Sequence, residues 1–238
     1  MTSKLFLHCG PAKTGTSAIQ AQLRDAPPAG VFYPETGQWH DGAHHKLVFA
    51  LQKISNRGAI EVPPWDDLLP PLIAEIDRAM ADGLDVVISS EGLTPVLAQQ
   101  LLNQLLPGLR KSFDAVTAVV VLRHPLERAA SAYNQIIKDA VTTDLRMPNV
   151  YLRETGPQFA LAGDIRRWQQ SPLAVKFLSY HPSVDLVDRF LALTGRDAPP
   201  RDDGAAPRKN TSMNGYALAA LLCARRAGYD TAQRDALF

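Results

Sequence analysis

Residues 4–20, Lys4-Leu5-Phe6-Leu7-His8-Cys9-Gly10-Pro11-Ala12-Lys13-Thr14-Gly15-Thr16-Ser17-Ala18-Ile19-Gln20, constrain the fold more than any other stretch. An apolar run passes into a turn bounded by Gly10 and Gly15, which carries one lysine and opens a helical run at Thr16. Glycines allow backbone torsions and close approaches that a side chain would block. The first N–H groups of a helix lack intrahelical partners and sit at the positive end of its dipole. An anion placed there meets those N–H groups, the hydroxyls of Thr14, Thr16 and Ser17, and the ammonium of Lys13.

The spacing separates this turn from the common triphosphate loop, G-x-x-x-x-G-K-[ST]. Gly10 and Gly15 fit that pattern, but Thr16 stands where the lysine belongs and Lys13 lies inside the turn. The cation therefore approaches a ligand from the loop, near the terminal group of a 5′-phosphate. A strand, turn and helix with a merely solvated lysine would read the same way, so a second signal is needed.

Strand-like and helical runs alternate along the rest of the chain. Short strands are expected at 31–34, 85–91, 115–122 and 173–180, and helices at 16–24, 44–55, 65–80, 96–106, 183–193 and 213–227. The alternation predicts an α/β fold. It has a central parallel sheet of about five strands with helices on both faces, a three-layer architecture like that of the P-loop nucleotide kinases. With 238 residues the chain is expected to form one domain, 1–238. In such sheets ligands sit beyond the carboxyl ends of the strands. Three of those ends carry polar groups here, namely Lys13, Ser90-Glu91 and Arg123.

Composition narrows the partners. A formal net charge of +1 offers no broad basic field for nucleic acid, so an anion site must be local. The two cysteines, Cys9 and Cys223, form no disulfide framework. The first strand begins too early to leave room for a signal peptide, and no apolar run is long enough to span a bilayer. No membrane association and a cytoplasmic location are the expectation; nothing in the sequence sets an oligomeric state.

The second signal follows the strand at 115–122. In Leu122-Arg123-His124-Pro125-Leu126-Glu127-Arg128-Ala129-Ala130-Ser131-Ala132-Tyr133-Asn134-Gln135, Pro125 suits the first turn of a helix. At helical spacing Leu126, Ala130, Tyr133 and Ile137 share one face, and His124, Arg128, Ser131 and Gln135 the other. Arg123 offers a planar fork to phosphate and Ser131 a neutral donor.

Together, GPAKTGTS and RHPLERAASAYNQ resemble the sulfotransferases that use 3′-phosphoadenosine 5′-phosphosulfate (PAPS), as a bacterial-type or glycan-sulfotransferase-like member. The resemblance runs from residue 4 to about 225, with weak matching between the motifs. It implies that Lys13, Thr14, Gly15, Thr16 and Ser17 hold the 5′-phosphosulfate, and Arg123 and Ser131 the 3′-phosphate. Ile88-Ser89-Ser90-Glu91-Gly92 is similar in place to the segment where the glycan-directed branch carries a catalytic glutamate, which makes Glu91 the candidate base. The cytosolic branch uses a histidine in that region, and this chain has none there. Lys209-Asn210-Thr211-Ser212 resembles the late loop that closes over the nucleotide, with Arg208 and Lys209 as phosphate contacts.

The implied reaction moves a sulfuryl group from PAPS to a hydroxyl or amine, leaves 3′,5′-ADP, and needs no metal. Lys13 and the helix N-terminus would stabilise charge growing on the departing phosphate oxygen, while Glu91 takes the acceptor's proton. His40, His44 and His45 match no metal-ligand spacing; His44 or His45 would line the acceptor mouth or act as an alternative base. Two rival readings stay open. An ATP- or GTP-dependent kinase would want lysine at position 16 and a strand-end aspartate for magnesium, and a non-catalytic nucleotide-binding protein would keep the cradle without turnover. The acceptor, a small molecule or glycan, would contact the weakly patterned segments 34–64 and 142–158.

Overall fold

Strands form where β-branched and apolar residues run together, and their order sets where the polar ends meet. The computed structural model describes residues 3–139, 143–181, 183, 185–195 and 215–230. Five strands, β1 (Lys4–Cys9), β2 (Val31–Phe32), β5 (Asp85–Ser89), β6 (Ala115–Leu122) and β7 (Ala174–Ser179), make one sheet in the order β2-β5-β1-β6-β7. Every pairing in it is parallel. The expected fold class is therefore the observed one: an α/β parallel sheet with helices on both faces. Because β1 lies between β5 and β6, the segments leaving these three strands emerge side by side.

Alternate residues of the strands point to opposite faces. Leu5, Leu7, Val86, Ile88, Ala118 and Val120 pack beneath α2 (His45–Leu51), α3 (Trp65–Ala81) and α4 (Pro95–Leu105). On the opposite face, Phe6, Val87, Val119 and Val121 meet Ile19 and Leu23 of α1 (Thr16–Asp25) and Phe190 and Leu191 of α8 (Leu186–Thr194). Local chemistry sets the helix ends. The Thr94 hydroxyl accepts from Leu97 N–H at the start of α4, and Asp185 accepts from Val187 and Asp188 N–H at the start of α8. Gly195 closes α8 in the left-handed conformation.

Several segments differ from the expectation. The helix expected at 44–55 stops at Leu51, and a small antiparallel hairpin follows, β3 (Asn56–Arg57) with β4 (Ile60–Glu61). The weakly patterned segment 142–158 contains a helix, α6 (Pro148–Thr155), and a further helix that was not expected follows it, α7 (Leu161–Gln169). Asn210 and its neighbours, with Arg208 and Lys209, lie outside the described residues.

The chain divides into two compact units, one running up to Arg123 and resuming at Gly163, the other beginning at His124 and including the last helix. The first holds the sheet. The second is helical: α5 (Pro125–Lys138), α6 and α9 (Gly215–Arg226) enclose Ala129, Tyr133, Ile137, Tyr151, Phe159 and Leu222. Arg225 donates to the Ile136 and Ile137 carbonyls at 3.0 and 2.9 Å, near the end of α5. Among the described residues no helix is long and apolar enough to cross a membrane.

Candidate functional site

Backbone geometry dictates the turn after β1. Gly10 has φ 138°, and a Cβ there would lie 2.8 Å from the Val121 carbonyl oxygen on β6. Only a residue without a side chain lets the loop leave the sheet so close to its neighbour. The Thr14 side chain is fully buried and its hydroxyl donates to the Pro11 carbonyl at 2.9 Å, which closes the turn on itself. Gly15, at φ 83°, is the residue from which α1 springs. Lys13 stands at the crest with φ 70°. A left-handed conformation costs an L-residue about 1–2 kcal/mol, so the turn holds its lysine at an energetic cost.

Three strand ends meet at this turn. Glu91 follows β5 by two residues, and its carboxylate accepts a hydrogen bond from the Thr16 hydroxyl in the first turn of α1. Arg123 follows β6 directly and donates from Nη1 to the Lys13 carbonyl at 3.0 Å. Its guanidinium lies over the Tyr180 ring, 4.6 Å from the centroid. Tyr180, the residue after β7, donates its N–H to the Leu122 carbonyl at 2.7 Å. A Cβ on Gly15 would meet that same ring at 2.7 Å. Tyr180 is thus a shelf supporting both the arginine and the base of α1.

The structure places the remaining candidates as follows. Ser17 is exposed on the first turn of α1, whereas Thr14 and Thr16 are buried with their hydroxyls turned to protein oxygens. Ser131 is half-buried on α5 in the second unit. On the same helix Arg128, expected on a polar face, is 8% exposed; it donates to the Gln158 carbonyl and lies over the Phe159 ring. Leu126, expected on the apolar face, is 66% exposed. Sequence reasoning missed Tyr180 as part of the site, because its role depends on which strand pairs beside β6.

The two alternative bases separate cleanly. His44 is fully buried; Nε2 donates to the Pro34 carbonyl at 2.8 Å and Nδ1 accepts from Ser89 N–H at 3.1 Å. With both nitrogens engaged and no exposure, it is not a base for an external substrate. His45 is half-buried, pairs through Nδ1 with Ser90 Oγ at 2.8 Å, and has Nε2 3.8 Å from Asp41 Oδ2. It stays beside Glu91 through Ser90. Cys9 is buried, which pushes its thiol far above the usual range and removes it as a nucleophile. Among the described residues no group of three or more His, Cys, Asp or Glu is arranged to hold a metal.

No protein-family model and no curated protein matches the sequence. Solved structures similar to it include a sulfotransferase from Alicyclobacillus acidocaldarius, at 20% identity and a TM-score of 0.45, covering 100% of this chain and 96% of that one. A mouse sulfotransferase complexed with PAP is similar at 13% identity and a TM-score of 0.44, over 93% of this chain and 64% of that one. A sugar kinase from Janibacter sp. is similar at 11% identity and a TM-score of 0.36, over 81% of this chain and 95% of that one. Likenesses this distant assign no activity. The chemistry rests on the site's own residues.

Proposed function

We propose that the protein is a sulfotransferase that moves a sulfuryl group from PAPS to a hydroxyl or amine acceptor, a small molecule or a glycan. The observation that carries this reading is the bond from Arg123 to the Lys13 carbonyl, which joins the strand-tip guanidinium to the glycine turn. Arg123, the strand-tip residue of the second anion-seeking segment, is therefore beside the turn of the first, which supports a ligand with two separate phosphate groups. In this reading Lys13, the Gly15–Ser17 backbone and the Ser17 hydroxyl hold the 5′-phosphosulfate, with Thr14 and Thr16 shaping the turn. Arg123 binds the 3′-phosphate, and Ser131, Arg208 and Lys209 are assigned to the nucleotide by the resemblance of their segments. The domain is taken as one functional whole, 1–238.

The mechanism asks little of the protein beyond position and charge. PAPS, when bound, supplies a sulfuryl group on a good leaving group. Lys13 and the first N–H groups of α1 would hold the donor's phosphate end and stabilise negative charge developing there, an interaction that would be stronger in the transition state than in the ground state. Glu91 accepts the acceptor's proton. Its present partner, the Thr16 hydroxyl, ties the carboxylate to the helix mouth and hence to the cradle.

Calorimetry with 3′,5′-ADP against ATP plus magnesium separates this reading from the kinase, which the Thr16–Glu91 contact also suits, since a hydroxyl and a carboxylate together can hold magnesium. Labelled-sulfate transfer across a panel of acceptors separates an enzyme from a silent nucleotide binder. Preference for ATP with magnesium would overturn the proposal. For Arg123→Ala the expected result is about 10–100-fold weaker 3′,5′-ADP binding, the scale of a lost charged hydrogen bond. For Glu91→Gln the expected result is about a 100-fold lower kcat with unchanged 3′,5′-ADP affinity, since general-base assistance contributes on that order.

A further inference from the structure

The helix beside Glu91 carries a row of side chains that the nucleotide cradle does not use. α2 is fastened to the end of β5: His44 N–H donates to the Ser89 carbonyl at 2.7 Å, Ser89 N–H donates back to His44 Nδ1 at 3.1 Å, and His45 Nδ1 pairs with Ser90 Oγ at 2.8 Å. A Cβ on Gly92 would lie 2.8 Å from Val48 Cγ1, so the chain on either side of Glu91 meets this helix. One turn on from His45, the Phe49 ring stacks with it at 6.0 Å between centroids, and Trp39 meets Phe49 edge-on at 5.6 Å. All of these rings are half-buried. Next to them the β3–β4 hairpin, exposed along its whole length, holds the Arg57 guanidinium over Phe49, 5.8 Å from the centroid. Among the described residues no carboxylate pairs with Arg57. In the hairpin register Arg57 faces Ile60 and Asn56 faces Glu61, so Arg57 and Glu61 project to opposite sides. All of these residues belong to the first unit.

We infer that this row binds the acceptor, and that the acceptor is an acid: a hydroxyl at one end, one or two rings, and a carboxylate or similar anion at the other. This role rests on Glu91 being the base of the transfer reaction proposed above. The charges set the direction. Glu91 and Asp41, the latter 3.8 Å from His45 Nε2, stand at the near end and leave it to the neutral hydroxyl. Arg57 draws the anion to the far end. Its place over Phe49 steadies the guanidinium and leaves the N–H edge for a carboxylate. The half-buried Trp39 and Phe49 take the apolar side of the acceptor's own rings.

Two matched probe pairs test the charge and separate the sources of such a group. They are p-nitrophenyl β-D-glucuronide with the glucoside, for an acidic sugar, and 4′-hydroxybiphenyl-4-carboxylate with its carboxamide, for a phenolic acid. Calorimetry in the presence and absence of 3′,5′-ADP is expected to show the acid of at least one pair binding about tenfold more tightly than its neutral partner, the scale of one charged hydrogen bond. Arg57→Gln is expected to erase that preference and Arg57→Lys to keep most of it. The protein has three tryptophans, and ¹H–¹⁵N correlation spectra are expected to show the acid moving the Trp39 indole signal while those of Trp65 and Trp168 stay in place. Equal affinities within both pairs, a preference that survives Arg57→Gln, or an unmoved Trp39 signal would overturn the assignment. Titration with 3′,5′-ADP alone tests the nucleotide cradle separately. Nucleotide binding without any preference for the acids removes this acceptor and leaves the transfer reaction standing; acid binding without nucleotide binding removes the transfer reaction, and the acceptor role with it.

Discussion

Lys13→Ala is expected to lower kcat for sulfuryl transfer by at least about 10³-fold, at the upper end of what removing one fixed donor from a developing oxyanion costs. The size of the effect follows from where the lysine is held. It lies at φ 70° inside a turn whose carbonyl is gripped by Arg123 and whose neighbour, Thr14, is buried and bonded back to Pro11. Alanine at this position keeps the same left-handed penalty, so the substitution removes the charge without relaxing the loop. Lys13→Gly provides the complementary measurement. Glycine adopts φ 70° without the Cβ penalty, so this variant is expected to be about 1 kcal/mol more stable than the parent in urea unfolding and as inactive as Lys13→Ala. A glycine variant that is both stabilised and active would show that the turn's strain serves no chemistry. Retention of transfer in Lys13→Ala would remove the lysine from the mechanism altogether.

The Gly10–Gly15 turn was readable because glycine spacing encodes torsion directly. The central strands were readable because Val86-Val87-Ile88 and Ala118-Val119-Val120-Val121 are buried on both faces and so are apolar throughout. The meeting of Lys13, Glu91 and Arg123 followed from a general property of parallel sheets, and the order β5-β1-β6 supplies it. What the sequence hid depends on partners distant along the chain. Tyr180 matters because β7 pairs with β6, a fact that no local pattern carries. Arg128 goes inside because the Phe159 ring and Gln158 carbonyl receive its guanidinium, and Leu126 stays outside although its spacing favours burial. Helix α7 had a readable signal in Leu161, Ile165 and Trp168 at i, i+4 and i+7, with Trp168 buried, but Gly156-Pro157 just before it reads as loop punctuation. His44 offers no local signal that separates a surface histidine, an acceptor-mouth residue or an alternative base from what the fold makes of it, a fully buried strut between Pro34 and Ser89.

That strut leads to the second large effect, an expected loss of about 4 kcal/mol of folding stability between pH 7 and pH 5. Two fully buried histidines converge on Ser89, the last residue of β5 and two residues before Glu91. His8 Nδ1 lies 2.7 Å from Ser89 Oγ, and its ring packs 5.0 Å from Phe190. His44 receives Ser89 N–H on Nδ1 and gives Nε2–H to Pro34, which fixes it as one neutral tautomer. Protonating Nδ1 would set it against the Ser89 N–H, donor to donor. Burial away from water lowers the pKa of His8 to about 3 and that of His44 to about 4. The sign follows from linkage. An unfolded histidine titrates near pH 6.5, so as pH falls below that value the unfolded chain gains protons that the folded one refuses. The stabilisation is complete above the unfolded pKa and drains away as pH falls toward the folded values. At pH 5 each histidine accounts for about 2 kcal/mol of the loss, and the pH 5–7 window lies largely above the carboxylate range. Urea unfolding of the parent and of His8→Asn at the two pH values checks this, with the variant expected to show about half the parent's pH dependence. Because both rings stay neutral in the fold over that interval, their bonds to Ser89 persist and only the folded fraction is expected to change. A parent protein equally stable at pH 5 and pH 7 would mean that these rings are protonated in the fold, and that the end of β5 is held by something other than two neutral imidazoles.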